Sequence, residues 1–113
     1  MQDAKAAVMR MYEALDRHDF EAARRLLHPQ FKEFGSGSDA AQFLERRTGF
    51  FAAFPDASHK LEEIMADGDL VMTATILSGT QRGAFHGMQP TGRRFSIQVW
   101  HLNRVKDGKV VSH

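Results

Sequence analysis

The sequence contains no cysteine, which excludes disulfides, thiol nucleophiles and thiolate metal sites together. No run approaches the roughly 18 apolar residues of a membrane span. Residues Met1 to Arg10 show helical spacing rather than the unbroken apolar stretch of a signal peptide, so a cytoplasmic address is expected. Excess charge of one sign is missing too. Lys and Arg number 15 against 14 Asp and Glu, a net charge of +1, so no broad field draws nucleic acid or anionic lipid. The doublets Arg24-Arg25, Arg46-Arg47 and Arg93-Arg94 read as solvated faces. Also absent are a glycine-rich nucleotide loop with its lysine, a dinucleotide fingerprint, a His-Glu-x-x-His zinc helix and a Gly-x-Ser-x-Gly elbow. Acid–base chemistry or binding in an apolar pocket remains, with no cofactor and no metal expected.

What is present fits one domain over residues 1–113. Ala4, Ala7, Val8, Met11, Tyr12 and Leu15 recur at three- and four-residue spacing and predict a first helix to Asp16. Asp19 can cap a second, carrying Phe20, Ala23, Leu26 and Leu27 and ending before Pro29. A short strand is expected near Phe31 to Phe34. Ser38 then offers a cap for a third helix, in which Phe43, Leu44, Arg47, Phe50, Phe51 and Phe54 fall at helical spacing until Pro55. Beyond it the period becomes extended over Lys60 to Ala66, Leu70 to Thr80 and Phe95 to Val105, followed by a hairpin at Asp107-Gly108. Helices followed by antiparallel strands predict an α+β domain, a curved sheet wrapped over three helices.

Alternation puts Phe95, Ile97, Val99, His101, Asn103 and Val105 on one face of the strand before that hairpin. His101 thus ends an apolar row, where desolvation disfavours imidazolium and leaves either a neutral base or a structural histidine bonded to a neighbour. Tyr12 shares the first helical stripe with Met11 and Leu15. As a core tyrosine its hydroxyl needs only a partner; aimed into a cavity with His101, it would donate to a developing enolate. Glu33 reads as a solvated loop charge, His86 as a loop residue, and His18, His28 and His59 as boundary residues at the surface. His86, His101 and His113 lack ligand spacing, so no metal site is assigned. Hairpin geometry decides whether His113 joins His101. A two-residue type I′ turn pairs His113 with Leu102, on the opposite face; a three-residue bulged turn pairs it with His101.

Together "MYEALDRHDFEAARRLLHPQF", "FFAAFPD", "ADGDLVMTATILSGTQRGAFHGMQPTGRRFSI" and "VWHLNRVKDGKVVSH" resemble the SnoaL-like polyketide and ester cyclase family of the nuclear transport factor 2-like superfamily. That resemblance implies a cone-shaped α+β barrel, a strongly bent antiparallel sheet against three helices, with a deep apolar pocket and no cofactor. It also implies homodimers, here expected through the sheet. By position, His101 matches the pocket residue before the Asp-Gly turn, and His113 the histidine of the family's terminal segment. The family's acid–base aspartate lies just beyond His113, so a domain lacking the usual end of the last strand is expected. Tyr12 resembles the helix-one tyrosine of ketosteroid isomerases. Phe31, Phe34, Phe51, Phe54, Met72, Phe85, Met88, Val99 and Asn103 are the expected substrate contacts, and His101, Tyr12 and His113 the catalytic set. The resemblance implies an acid–base cyclase or isomerase acting on a small hydrophobic carbonyl compound. A non-catalytic binding or dimerisation module is the alternative.

Overall fold

A computed structural model describes residues 4–113, so the helical spacing read from Met1 begins outside the described residues. Helix α1, Ala4–Asp16, buries Ala7, Val8, Met11, Tyr12 and Leu15, the stripe its spacing requires. Helix α2, Phe20–Leu26, starts where the Asp19 carboxylate accepts from the Ala22 N–H at 3.1 Å. It ends without a loop, passing directly into strand β1, Leu27–Lys32. Pro29 is therefore inside a strand rather than beyond a helix. The position tolerates it because β1 is an edge strand, where a missing donor costs no central ladder bond.

Helix α3, Ala40–Ala53, is capped by Asp39 rather than Ser38, through a capping box with Gln42. Three long strands follow: β2 (Ser58–Asp67), β3 (Leu70–Thr80) and β4 (Arg94–Lys106), then the short β5 (Lys109–Ser112). None of the helices in the described residues is long and apolar enough to cross a membrane.

The strands run in the order β1-β5-β4-β3-β2. The α+β class is as expected, but the sheet is open and mixed instead of an entirely antiparallel barrel. β1 lies parallel to β5, and the long excursion through α3 and three strands allows this, since a parallel pair cannot be joined by a tight turn. The register sets which side chains face the helices. Val71, Thr73, Thr75 and Leu77 of β3 lie opposite Asn103, His101, Val99 and Ile97 of β4 and form the inner face. The inner face packs on α1 and α3 around Val8, Met11, Leu15, Phe31, Phe43 and Val110, all essentially solvent-free. Gly79 brings the end of β3 against the segment after α3. A Cβ there would lie 3.2 Å from the Ala57 Cα.

The outer face is apolar at its centre. Met65, Met72 and Leu102 stand side by side across β2, β3 and β4, with Trp100 next to them and 54 % exposed.

Hairpin β4–β5 departs from both registers expected for it. Asp107 and Gly108 have φ of 55° and 73°, so the turn is the two-residue type I′ form, and Lys106 pairs with Lys109. One step further along, Val105 pairs with Val110 but Arg104 pairs with Ser112. Val111 is thus a bulge, and the extra residue reverses the in–out alternation beyond it. His113 returns to the inner face despite a turn that alone would have sent it outward.

Candidate active site

The bulge gathers a row of polar side chains inside an otherwise apolar layer. His113 stacks on His101 with ring centroids 4.0 Å apart and planes at 21°. Its Nδ1 lies 2.5 Å from Asn103 Oδ1, while Asn103 Nδ2 donates to the Val71 carbonyl at 3.1 Å. The second bond fixes the amide's orientation, so Oδ1 accepts and His113 carries its proton on Nδ1. The lone pair on Nε2 then faces Arg47, whose Nη2 is 3.5 Å away. On the other side, His101 Nδ1 is 3.2 Å from the Tyr12 hydroxyl, which is also 2.9 Å from Thr73 Oγ1.

Burial sets the protonation of this row. His101 is pushed down to about 4, first by desolvation, then by the Arg47 and His59 charges, with Glu33 opposing. His113 is held well below the ordinary histidine value, again by desolvation first and then by His101. Both rings are neutral at physiological pH. Burial raises the Tyr12 hydroxyl against the lowering effect of its Thr73 bond, so it remains protonated and can donate.

Next to this row opens a cleft of about 530 Å³ between α3 and the loop after β3, walled by Glu33, Phe43, Arg46, Arg47, Phe50, Phe85 and His86. An adjoining trough shares Phe50 and Phe85 and adds Phe54, Met88 and Phe95. Their rings meet mostly edge to face, Phe54 with Phe85 at 5.3 Å and with Phe95 at 5.1 Å. Beyond Phe95 the inner row of β4 continues through Ile97 and Val99 to His101. Ile97 is 50 % exposed although it faces inward, so no helix covers that stretch.

Several expected contacts lie elsewhere. His101 is not in the wall of the larger cleft; it is joined to it through His113, whose ring packs on Phe43 at 5.5 Å. Tyr12 does not present a free hydroxyl to a cavity, because both of its partners are protein atoms. Met72 is one residue out of phase with Thr73 and points to the outer face, so it cannot share a site with His101. Phe34 follows the end of β1 and is 52 % exposed. Phe31 is buried against Phe43, and Phe51 packs on His18 and Phe20. Asn103 is solvent-free and acts on His113. Phe54, Phe85 and Met88 line the trough, and Val99 lies on the inner row.

Three residues gain a place that composition did not give them. Arg47 is half-buried in the cleft wall, not solvated, with its guanidinium 4.9 Å over the Phe43 ring. Its position within the apolar stripe of α3, four residues after Phe43 and three before Phe50, was the signal. Glu33 lines the same wall and pairs with Arg46. His59 is a buried partner of Asp16, not a surface residue: its N–H and its Nδ1 meet the two carboxylate oxygens at 2.9 and 2.7 Å, with the Tyr12 ring 4.9 Å away. Asp16 lies four residues after Tyr12, one helical turn along the same face.

An open α+β sheet with an aromatic cleft and a neutral histidine pair defines a class, and sequence comparison places the chain within it. The family model for SnoaL-like polyketide cyclases matches residues 6–113, and the chain belongs to this family. It is similar to the aklanonic acid methyl ester cyclase AcmA of Streptomyces galilaeus, 31% identical over 120 residues that cover 100% of this chain and 83% of that one. It is also similar to the nogalonic acid methyl ester cyclase of Streptomyces nogalater, 34% identical over 89 residues, 77% of this chain and 66% of the other. Among solved structures, AclR of Streptomyces galilaeus, a proposed hydroxylase, superposes with a TM-score of 0.88 at 31% identity, over 97% of this chain and 71% of its own.

Proposed function

We propose that the protein is a cofactor-independent cyclase that closes a ring in a flat, hydrophobic carbonyl compound by moving a proton from carbon, with His101 as the base. The observation that carries this reading is the neutral His101, anchored through Nδ1 and stacked on a second neutral imidazole at the end of an uncovered apolar row. With Nδ1–H donating to the Tyr12 oxygen and Tyr12 O–H donating to Thr73, the His101 Nε2 lone pair is free to accept a proton. Tyr12 then acts as a positioning residue for the base. The relatives' names supply the substrate type, the methyl ester of aklanonic or nogalonic acid. One solved relative is a proposed hydroxylase, so fold alone is a weak guide to reaction.

The test is ring closure of aklanonic and nogalonic acid methyl esters across pH. The groups facing His101 are His113, Tyr12, His59, Arg47 and Glu33. Because burial, Arg47 and His59 hold its pKa at about 4 against Glu33, kcat/KM is expected to stay flat from pH 7.5 down to 5.5. A histidine of ordinary pKa would lose about nine-tenths of its basic form by then. An acid limb near 6.5 would count against His101 as the base. Thermal stabilisation by both esters without product would instead favour a binding module.

A second copy of the chain is the proposed partner of the outer sheet face. The Met65, Met72, Trp100 and Leu102 patch is flanked by Lys60, Glu63 and Arg104, charges of both signs that suit a self-complementary two-fold contact. Sedimentation should give a dimer that Trp100→Glu dissociates; a wild-type monomer at tens of micromolar would remove this contact.

A further inference from the structure

Resting on the cyclase reading above, we propose that Arg47 is the oxyanion anchor of the site: its guanidinium holds the negative charge that forms on the substrate's carbonyl oxygen, and the cleft therefore favours flat ligands bearing an ionised enol over their neutral ethers.

Arg47 is half-buried, yet no carboxylate among the described residues lies within ion-pair distance of it. Glu33, the acid in the same wall, is engaged by Arg46. Placing a cation in a partly desolvated wall without a counter-charge is costly, and an anionic ligand removes that cost. Burial lowers the guanidinium's pKa while Glu33 raises it, but arginine keeps its proton at any working pH.

Arg47 is also held in place. Phe43 supports one face of the guanidinium, and His113 Nε2 accepts from Nη2. Asn103 fixes the tautomer that makes this acceptance available. His113 therefore serves as a positioning residue for Arg47. Of the five N–H donors of a guanidinium, only the one on His113 meets a protein acceptor among the described residues; the others are available to a planar oxyanion in the cleft.

The chemistry balances without a further reactant. His101 Nε2 takes a proton from the carbon between two carbonyl groups, and the C–H electron pair moves into the conjugated system, leaving the charge on oxygen beside Arg47. The enolate carbon then bonds to a ketone carbon in the same molecule, whose oxygen takes the proton back from the imidazolium. The Arg47 charge that disfavours imidazolium in the empty site favours the enolate, so one cation tunes both partners of the transfer.

The test uses 2-hydroxy-1,4-naphthoquinone, whose enol is ionised at neutral pH, and its neutral 2-methoxy ether. Wild-type protein should bind the anion about 10–100-fold more tightly than the ether, the worth of a charge-assisted hydrogen bond. Arg47→Met should abolish the preference and leave the ether's Kd unchanged, which also reports that the variant is folded; Arg47→Lys should retain part of it. If Arg47→Met does not fold, the wild-type protein suffices: bound hydroxynaphthoquinone, read by its visible absorbance, should titrate at lower pH than the free compound. Equal binding of anion and ether, an unshifted titration, or a preference that survives Arg47→Met would overturn the anchor. A preference without turnover of either ester would leave the anchor standing and reject the cyclase reading, and turnover without a preference would do the reverse.

Discussion

His101→Gln is expected to lower kcat for ring closure by about 10²–10⁴-fold, the usual worth of a positioned general base. Glutamine keeps a polar group of similar reach on the inner face of β4, so the apolar row, and with it the substrate's Kd, should change little. The size of the loss distinguishes a proton acceptor from a packing residue. One companion variant frames it. Tyr12→Phe removes the hydroxyl that anchors Nδ1 but leaves the ring, and should cost about tenfold, the lower part of such effects. Its ¹⁵N spectrum should show the His101 tautomer populations redistributed, which a merely structural tyrosine would not produce. Full activity of His101→Gln would remove this residue from the reaction.

The second large effect is on stability. Asn103 is fully buried and bridges the Val71 carbonyl and His113 Nδ1. Asn103→Ala would leave the imidazole N–H without its acceptor and open a small cavity in the layer between sheet and helices. An unsatisfied buried donor costs about 1–3 kcal/mol, and the lost packing adds to it. We expect a loss of ~3 kcal/mol, seen as a fall in Tm of about 12 °C in a domain of this size. Asn103→Asp should recover part of the loss, because a carboxylate accepts the same N–H and raises the His113 pKa toward its ordinary value. A fall of only a degree or two in Asn103→Ala would show that the Asn103–His113 bond contributes little.

Much of this was legible in the residue pattern, and the reasons are local. The α1 and α3 stripes repeat at helical spacing, and the alternation along β4 placed His101 and Asn103 on one face with the inner residues of β3. That information lies in each segment by itself. What was not legible depends on how segments meet. Pro29 reads as a helix end because nothing nearby announces that Leu27–Lys32 will pair in parallel with a strand some eighty residues later. Arg47 looks like half of a solvated doublet until α3 is set beside the loop that carries Phe85. His59 looks like a loop residue until β2 brings it to the end of α1. The bulge carries no mark in Val110-Val111-Ser112, which has neither glycine nor asparagine, so the Asp-Gly turn was readable and the register after it was not.

The bulge at Val111 makes membership of the site a matter of counting. Side chains at positions 109–112 can change while His113 keeps its place, because the in–out order depends on how many residues separate the turn from the end of the strand. If the same residues paired without the bulge, His113 would move to the outer face opposite Leu102, with every residue type unchanged. Loss of the bulge at constant length is therefore equivalent to losing two side chains at once: the imidazole itself, and the Arg47 it orients. A change of pairing register, invisible to a tally of matching residues, is a route by which this fold can switch such a site on or off in a single step.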